Sequence, residues 1–259
     1  MVERDDDDDD NPFAAPESDL VSRESDDDFG DGERSHQIID AGDVISTSWA
    51  IFKVDYGITI GAVFLANILM QALAQASNVL GFFAETLRNQ GDDFTGGLLQ
   101  IVAFCCLPLN FAVQCFVQVG QARLLLNVAR GEQAQISDLF SGGRYFWRMV
   151  GASILFSLMV GLGMLACLIP GIIWAMMYFS YSYALVDEDP RGMQCLSLAR
   201  AAARDNLGAI LVIFIASIGI NILGLLMFCV GILATMPLTA LILAVAYLKM
   251  TGQRTAKID

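Results

Sequence analysis

The chain has 259 residues, of which 55% are hydrophobic and only 17% charged, against about 25% charged in an ordinary soluble domain. Its formal net charge of −13 belongs to one end, because residues 1–43 balance to −14 and the remaining residues to +1. This composition excludes an ordinary soluble globular domain, and it offers no basic surface for nucleic acid.

Residues 1–43 carry the Asp run 5–10, a second at 26–28, and few apolar side chains. Such a block cannot offset its ordering entropy, so a disordered acidic tail is expected. It contains no basic segment followed by an apolar one, so the first membrane span is expected to act as the insertion signal. Asp43 then caps a short amphipathic stretch, residues 44–56. Trp49, Phe52 and Lys53 in this stretch suit the headgroup region.

Uncharged runs dominate the rest. Residues 57–84 and 94–122 are each one span long, while 149–186 and 206–248 carry 38 and 43 residues without a charge. A bilayer core takes about 20 apolar residues per helix, so each long run reads as a hairpin of two. Six spans are predicted, at 57–84, 98–122, 149–169, 171–186, 207–227 and 231–248. Residues 44–249 form one membrane domain, and 250–259 a short C-terminal tail. Between the first two spans lies a loop containing Glu85, Arg88, Asp92 and Asp93. Pro170-Gly171 is the predicted tip between spans three and four. The fourth span is short, which leaves a re-entrant segment open. Its Tyr178, Tyr181 and Tyr183 read as an aromatic belt.

After span four, Asp189-Pro190 predicts a helix start, with a surface helix running to Arg204. Asp187 and Glu188 either cap this helix or pair with Arg200 or Arg204. They are also the acids placed for chemistry at the membrane surface. Near the membrane, one side holds eleven basic residues, from Lys53 to Lys257, and the other only Arg88. Basic residues accumulate in cytoplasmic loops, so both termini are placed in the cytoplasm of an inner-membrane protein.

The spans contain no ionisable side chain, which argues against a proton-coupled carrier. The single histidine, His36, lies in the tail, so neither a zinc centre nor a Ser-His-Asp triad is supported, and no cofactor is predicted. Of the six cysteines, four lie in predicted spans, Cys195 in the connecting segment after span four and Cys229 between spans five and six, which is no disulfide framework. The most distinctive polar feature is a pair of amide stripes. Span one has Asn67, Gln71, Gln75 and Asn78; span two has Asn110, Gln114, Gln118 and Gln121. Both use the spacing 4, 4, 3, which keeps four amides on one helical face. Two readings fit: interhelical glue across the hairpin, or a hydrophilic path. A short echo relates Cys229-Val230-Gly231 to Ile169-Pro170-Gly171 at an offset of 60, and Met236-Pro237-Leu238 to Leu107-Pro108-Leu109. It hints at three related hairpins.

Several segments resemble a known group. These are Leu168-Ile169-Pro170-Gly171-Ile172-Ile173-Trp174, Tyr183 with Asp187-Glu188, Leu196-Ser197-Leu198-Ala199-Arg200, and the stretch holding Trp49, Phe52, Lys53 and Gly57. Together they resemble prokaryotic multi-pass membrane families of unknown function, similar to the membrane domain of some glycerophosphoryl diester phosphodiesterases. The resemblance covers residues 38–206. The family pattern ends its surface helix in Gly-Asn or Gly-His; here Asp205-Asn206 stands at that turn. The phosphodiesterase catalytic domain has no counterpart, so the resemblance implies a membrane module rather than an activity.

The expectation is an all-α integral membrane bundle of six spans with short amphipathic interfacial helices. The preferred function is a non-enzymatic module organising lipid, protein or a second copy of itself. The alternatives are a transporter or channel using the amide seam, and a lipid-modifying enzyme.

Overall fold

The computed structural model describes residues 37–190, 193–227 and 230–256. The acidic tail up to residue 36, Cys229 in the last connection and the final three residues lie outside the described residues. Every regular element among the described residues is helical. Nine α-helices follow in order: α1 (Ala41–Val54), α2 (Tyr56–Asn89), α3 (Asp93–Arg130), α4 (Phe146–Ala166), α5 (Leu168–Tyr178), α6 (Tyr181–Glu188), α7 (Gln194–Arg204), α8 (Leu207–Leu226) and α9 (Val230–Met250). A 3-10 helix, Ile136–Tyr145, joins α3 to α4. Six helices or helix pairs are long and apolar enough to cross a membrane, and α5 with α6 makes one of them. The chain is thus an all-α helical bundle of membrane-spanning segments.

The spans form three hairpins, α2–α3, α4–α5 and α8–α9. Small residues set how closely their helices approach. A Cβ on Gly171 would lie 2.4 Å from Met164 Cγ, and one on Gly231 would lie 2.4 Å from the Gly224 carbonyl oxygen. The α4–α5 and α8–α9 hairpins therefore both cross on glycines near their tips, at positions 171 and 231. The first hairpin is longer. Its 34 and 38 residues span about 51 and 57 Å, well beyond a hydrocarbon core of about 30 Å, so it tilts or projects.

Several local expectations need correction. Helix α1 starts three residues earlier than the sequence suggests, because Asp40 caps it by accepting from the Asp43 N–H at 3.3 Å. Asp43 instead binds Lys249 Nζ at 2.7 Å. The tip between spans three and four is Cys167, whose extended backbone breaks the helix; Pro170 sits in the first turn of α5. There it has no intrahelical acceptor to lose, since the first N–H groups of a helix are orphans anyway. Span four is interrupted at Phe179-Ser180, and the Ser180 hydroxyl is buried without a hydrogen-bond partner. Asp189 does not start a helix. It closes α6 in a left-handed conformation at φ 44°, and α7 begins at Gln194.

Helices α1 and α7 are the short amphipathic elements. Helix α1 buries Val44, Ser48, Ile51 and Phe52, and leaves Trp49 exposed with Lys53 Nζ 5.4 Å from its ring centroid. Helix α7 buries Cys195, Leu196, Ala199, Ala202 and Ala203 and exposes Arg200 and Arg204. Both pack on α9, whose last ten residues are almost wholly buried. The densest apolar core therefore lies at one end of the bundle.

Candidate functional site

Among the described residues, that end holds three ion-paired clusters. Asp187, at the end of α6, accepts from Arg130 Nη2 of α3, from Tyr247 Oη of α9 at 3.1 Å, and from Gln253 Nε2 at 2.5 Å. Gln253 Oε1 accepts in turn from Arg130 at 2.5 Å. Asp189 accepts from Arg144 at 2.5 Å and Arg148 at 2.6 Å. Lys249 donates to Asp43 and, at 2.7 Å, to Thr47 Oγ1. Asp187 thus meets Arg130, not Arg200 or Arg204. The expected partners lie beyond the chain reversal at Asp189 and face outward, while the C-terminal turn of α3 ends beside α6.

A fourth tie involves Asn206, the residue at the turn after α7. It is 2% exposed. Its Oδ1 accepts from the Ile39 N–H at 2.9 Å, and its Nδ2 donates to the Gln37 carbonyl at 2.9 Å. The Gln37 N–H donates to the Met250 carbonyl at 3.3 Å. A carboxamide presents a donor and an acceptor side by side, as a peptide does, and so can clamp an extended strand of backbone. Nothing short-range in the sequence marks this bond, since its partners are 167 positions apart.

The tyrosines of span four do not form a belt. Tyr178, Tyr181 and Tyr183 are all under 8% exposed. Tyr181 Oη lies 3.2 Å from both Ser153 Oγ and Gln118 Nε2, and Tyr183 Oη donates to the Ala240 carbonyl at 3.3 Å. The Tyr181 and Tyr183 hydroxyls find partners inside the bundle, which favours burial over the interface.

The two amide stripes do not pair with each other. Among the described residues, no hydrogen bond joins an amide of α2 to one of α3. Asn67 is half-buried and donates to the Val63 carbonyl of its own helix at 2.8 Å. Gln71, Gln75 and Asn78 are exposed on α2 and make no hydrogen bond to the described residues, and Gln114 is exposed on α3. Asn110 and Gln121 are half-buried; Gln118 alone is bonded across helices, to α6. On α2 the hairpin contact falls on another face, whereas on α3 it overlaps the amide face at Asn110. Val63, Ser77 and Ala84 are buried on α2, and Gly96, Ala103 and Val117 on α3, with Met70 and Asn110 completing a seven-residue repeat on each helix. Asn67 and Gln71 instead line a 240 Å³ groove between α2 and α9, opposite Leu233, Met236 and Pro237. An unbonded amide in hydrocarbon costs about 4–8 kcal/mol relative to water, so this outward stripe needs an explanation.

A second groove, of 390 Å³, is lined almost wholly by apolar side chains of α1, α8 and α9, with Trp49 among them. Two polar hollows lie at the ion-paired end. The larger, 750 Å³, is bordered by Asp40, Asp43, Arg130, Lys249 and Arg254. Among the described residues, no three His, Cys, Asp or Glu side chains converge as a metal site requires. Cys195 is fully buried, and desolvation pushes its thiol above the ordinary range, which makes it unreactive.

Comparison with known proteins adds relatives but no activity. No family model matches the chain. It is 24% identical over 227 residues to an uncharacterised protein of Mycobacterium bovis, which covers 82% of this chain and 68% of the relative. The same identity and coverage relate it to an uncharacterised protein of Mycobacterium tuberculosis. No solved structure matches.

Proposed function

We propose that this chain is a non-enzymatic module of the inner membrane, with both termini in the cytoplasm, that organises lipid or protein partners. One observation carries the reading. The acid at the membrane edge that surface chemistry would use, Asp187, is 8% exposed and bound by three donors from α3, α9 and the C-terminal segment. A carboxylate held this way has most of its acceptor capacity taken up in fastening helices together. Two exposed arginines of α7, Arg200 and Arg204, are left to meet anionic headgroups. The resemblance to membrane modules of unknown function agrees with this. The partners proposed are membrane lipids, other membrane proteins or a second copy, and not nucleic acid.

The carrier reading keeps one specific support, the groove where Asn67 and Gln71 face α9. Native mass spectrometry of gently extracted protein tests the choice. Defined lipid or protein adducts, with no solute flux in vesicles, are the expected result; flux abolished by Gln71→Leu would overturn it. Orientation is tested with a single cysteine at exposed position 135. It should react with an impermeant reagent only after the membrane is opened, and reaction from outside would reverse the topology.

A further inference from the structure

The outward face of α2 carries a second regularity. Phe64, Ile68, Gln71, Gln75, Asn78 and Phe82 follow one another at spacings of 4, 3, 4, 3 and 4. That is the alternation of the seam of a left-handed coiled coil, which is also the common crossing of membrane helices. All six side chains are exposed, among them Phe64 at 44%, Ile68 at 48% and Phe82 at 67%. The seam is distinct from the repeat that faces α3, from which it is rotated by more than about a third of a turn. Its middle lies in hydrocarbon however the bilayer is set. Every placement of a core of about 20 residues inside the uncharged run 57–84 includes positions 65–76, and so Gln71 and Gln75. An apolar seam there would need no partner. This one has glutamines at its centre that find no hydrogen bond among the described residues.

We propose that this seam is a self-association surface, through which two copies of the chain meet along α2 about a two-fold axis parallel to the membrane normal. The inference names a partner for the module proposed above and rests on that reading. The chemistry selects a second copy. Copies inserted in the same sense present parallel α2 helices, so identical residues meet at identical depth. A carboxamide is donor and acceptor at once, so Gln71 can bond Gln71 of the other copy, and Gln75 likewise. A like-charged seam would repel itself under the same symmetry; an amide seam is self-complementary. Phe64 and Phe82 flank the polar centre with apolar contact, and a hollow rather than close packing separates Phe64, Ile68 and Gln71 from α9. Polar residues at such seam positions fix register and copy number.

Cysteine cross-linking in native membranes tests this on the full chain. Cys105, Cys106, Cys167 and Cys229 are replaced by alanine, and the buried Cys115 and Cys195 are kept. Gln75→Cys should then give a disulfide-linked dimer on mild oxidation. Ala76→Cys, exposed at the same depth but turned off the seam, should not. Gln71→Leu with Gln75→Leu should weaken dimerisation about tenfold to a hundredfold, by the usual strength of interhelical hydrogen bonds. Because neither glutamine bonds to any of the described residues, the double variant keeps its helical circular dichroism, and loss of dimer is not loss of fold. Equal cross-linking at 75 and 76, or dimers indifferent to the double change, would overturn the two-fold. A monomer that retains defined lipid would overturn the two-fold and leave the module reading standing. Solute flux would overturn the module reading whatever the number of copies.

Discussion

Replacing Asp187 by alanine is expected to destabilise the fold by about 3 kcal/mol. The carboxylate is 8% exposed and its partner Arg130 is 26% exposed. Breaking a buried pair by removing one member costs about 3–5 kcal/mol, mostly because the other charge is stranded. Here the lower end applies, since Arg130 reaches some water and keeps Gln253 Oε1 at 2.5 Å. Tyr247 Oη and Gln253 Nε2 lose their acceptor in the same step. Asp187→Asn retains one acceptor oxygen but turns an N–H₂ toward those donors, so a loss of about 1–2 kcal/mol is expected. Arg130→Ala leaves the carboxylate with two neutral donors and should cost about 2–3 kcal/mol. The double variant should cost less than the two single changes summed, with a coupling of about 2 kcal/mol. Reversible unfolding in mixed micelles, followed by circular dichroism, measures all four states. Single losses below about 0.5 kcal/mol would place Asp187 among ordinary surface ion pairs. An additive cycle would show that the two residues do not act on each other, and either result would remove the observation on which the proposed function rests.

Asn206→Ala should release the segment before α1, at a cost of about 2 kcal/mol for two good buried hydrogen bonds, read as faster hydrogen exchange at the Ile39 amide. Gly120→Ala should be worse than its size suggests, because the new Cβ would lie 1.8 Å from the Leu139 carbonyl oxygen. The obstacle is backbone, so the 3-10 helix must shift, and a loss of about 1–3 kcal/mol or more is expected in the same unfolding assay. In the monomer, Gln71→Leu and Gln118→Leu should be additive, with only the second destabilising, by about 1 kcal/mol through its bond to Tyr181; a coupled cycle would restore pairing across the hairpin. Asp92, the N-cap of α3, has its carboxyl held below the ordinary value of 3.8 by the Thr95 backbone N–H, helped by the Thr95 side chain. A depressed carboxylate contributes fully above that value and is lost as pH falls through its lower folded value. Protection of the Thr95 amide should therefore stay flat from neutrality to about pH 4 and fall only in stronger acid.

The number and approximate placing of the spans were legible because hydrocarbon imposes a long-range composition on the chain. Runs of 38 and 43 uncharged residues admit few readings other than pairs of helices. The turns were less legible, since several backbone solutions fit one sequence. Pro170-Gly171 has the composition of a tip, yet Pro also suits the first turn of a helix, and Gly also permits close packing. Both secondary uses occur here, and Cys167, with no turn signature, carries the break. The ion pairs were not legible at all. Asp187 lies 57 positions from Arg130 and 66 from Gln253, and charge near the membrane edge says which residues need partners but not which they obtain. Asn206 stood out only as a departure from a resembled pattern, and its clamp on residues 37–39 required the fold.

The amide stripes show where periodicity stops being informative. The 4, 4, 3 spacing places four amides on one face of each helix, and that much holds in the structure. It does not say what the face meets. Two competing signals shared α2, the amides and a set of small or slender residues at seven-residue spacing, of which Ser77 and Ala84 are buried. Helices in lipid gain by approaching closely, and small side chains permit this, whereas a hairpin packed on long glutamines would hold its backbones apart. On α3 the same repeat supplies Gly96 and Ala103, and a Cβ on Gly96 would lie 2.7 Å from the Ala84 carbonyl oxygen. Close packing therefore decides the hairpin contact, and Gln71, Gln75 and Asn78 of α2 turn outward as a consequence. Since the spacing of the hairpin contact uses up the face toward α3, hydrogen bonds for Gln71 and Gln75 have to come from outside their own hairpin.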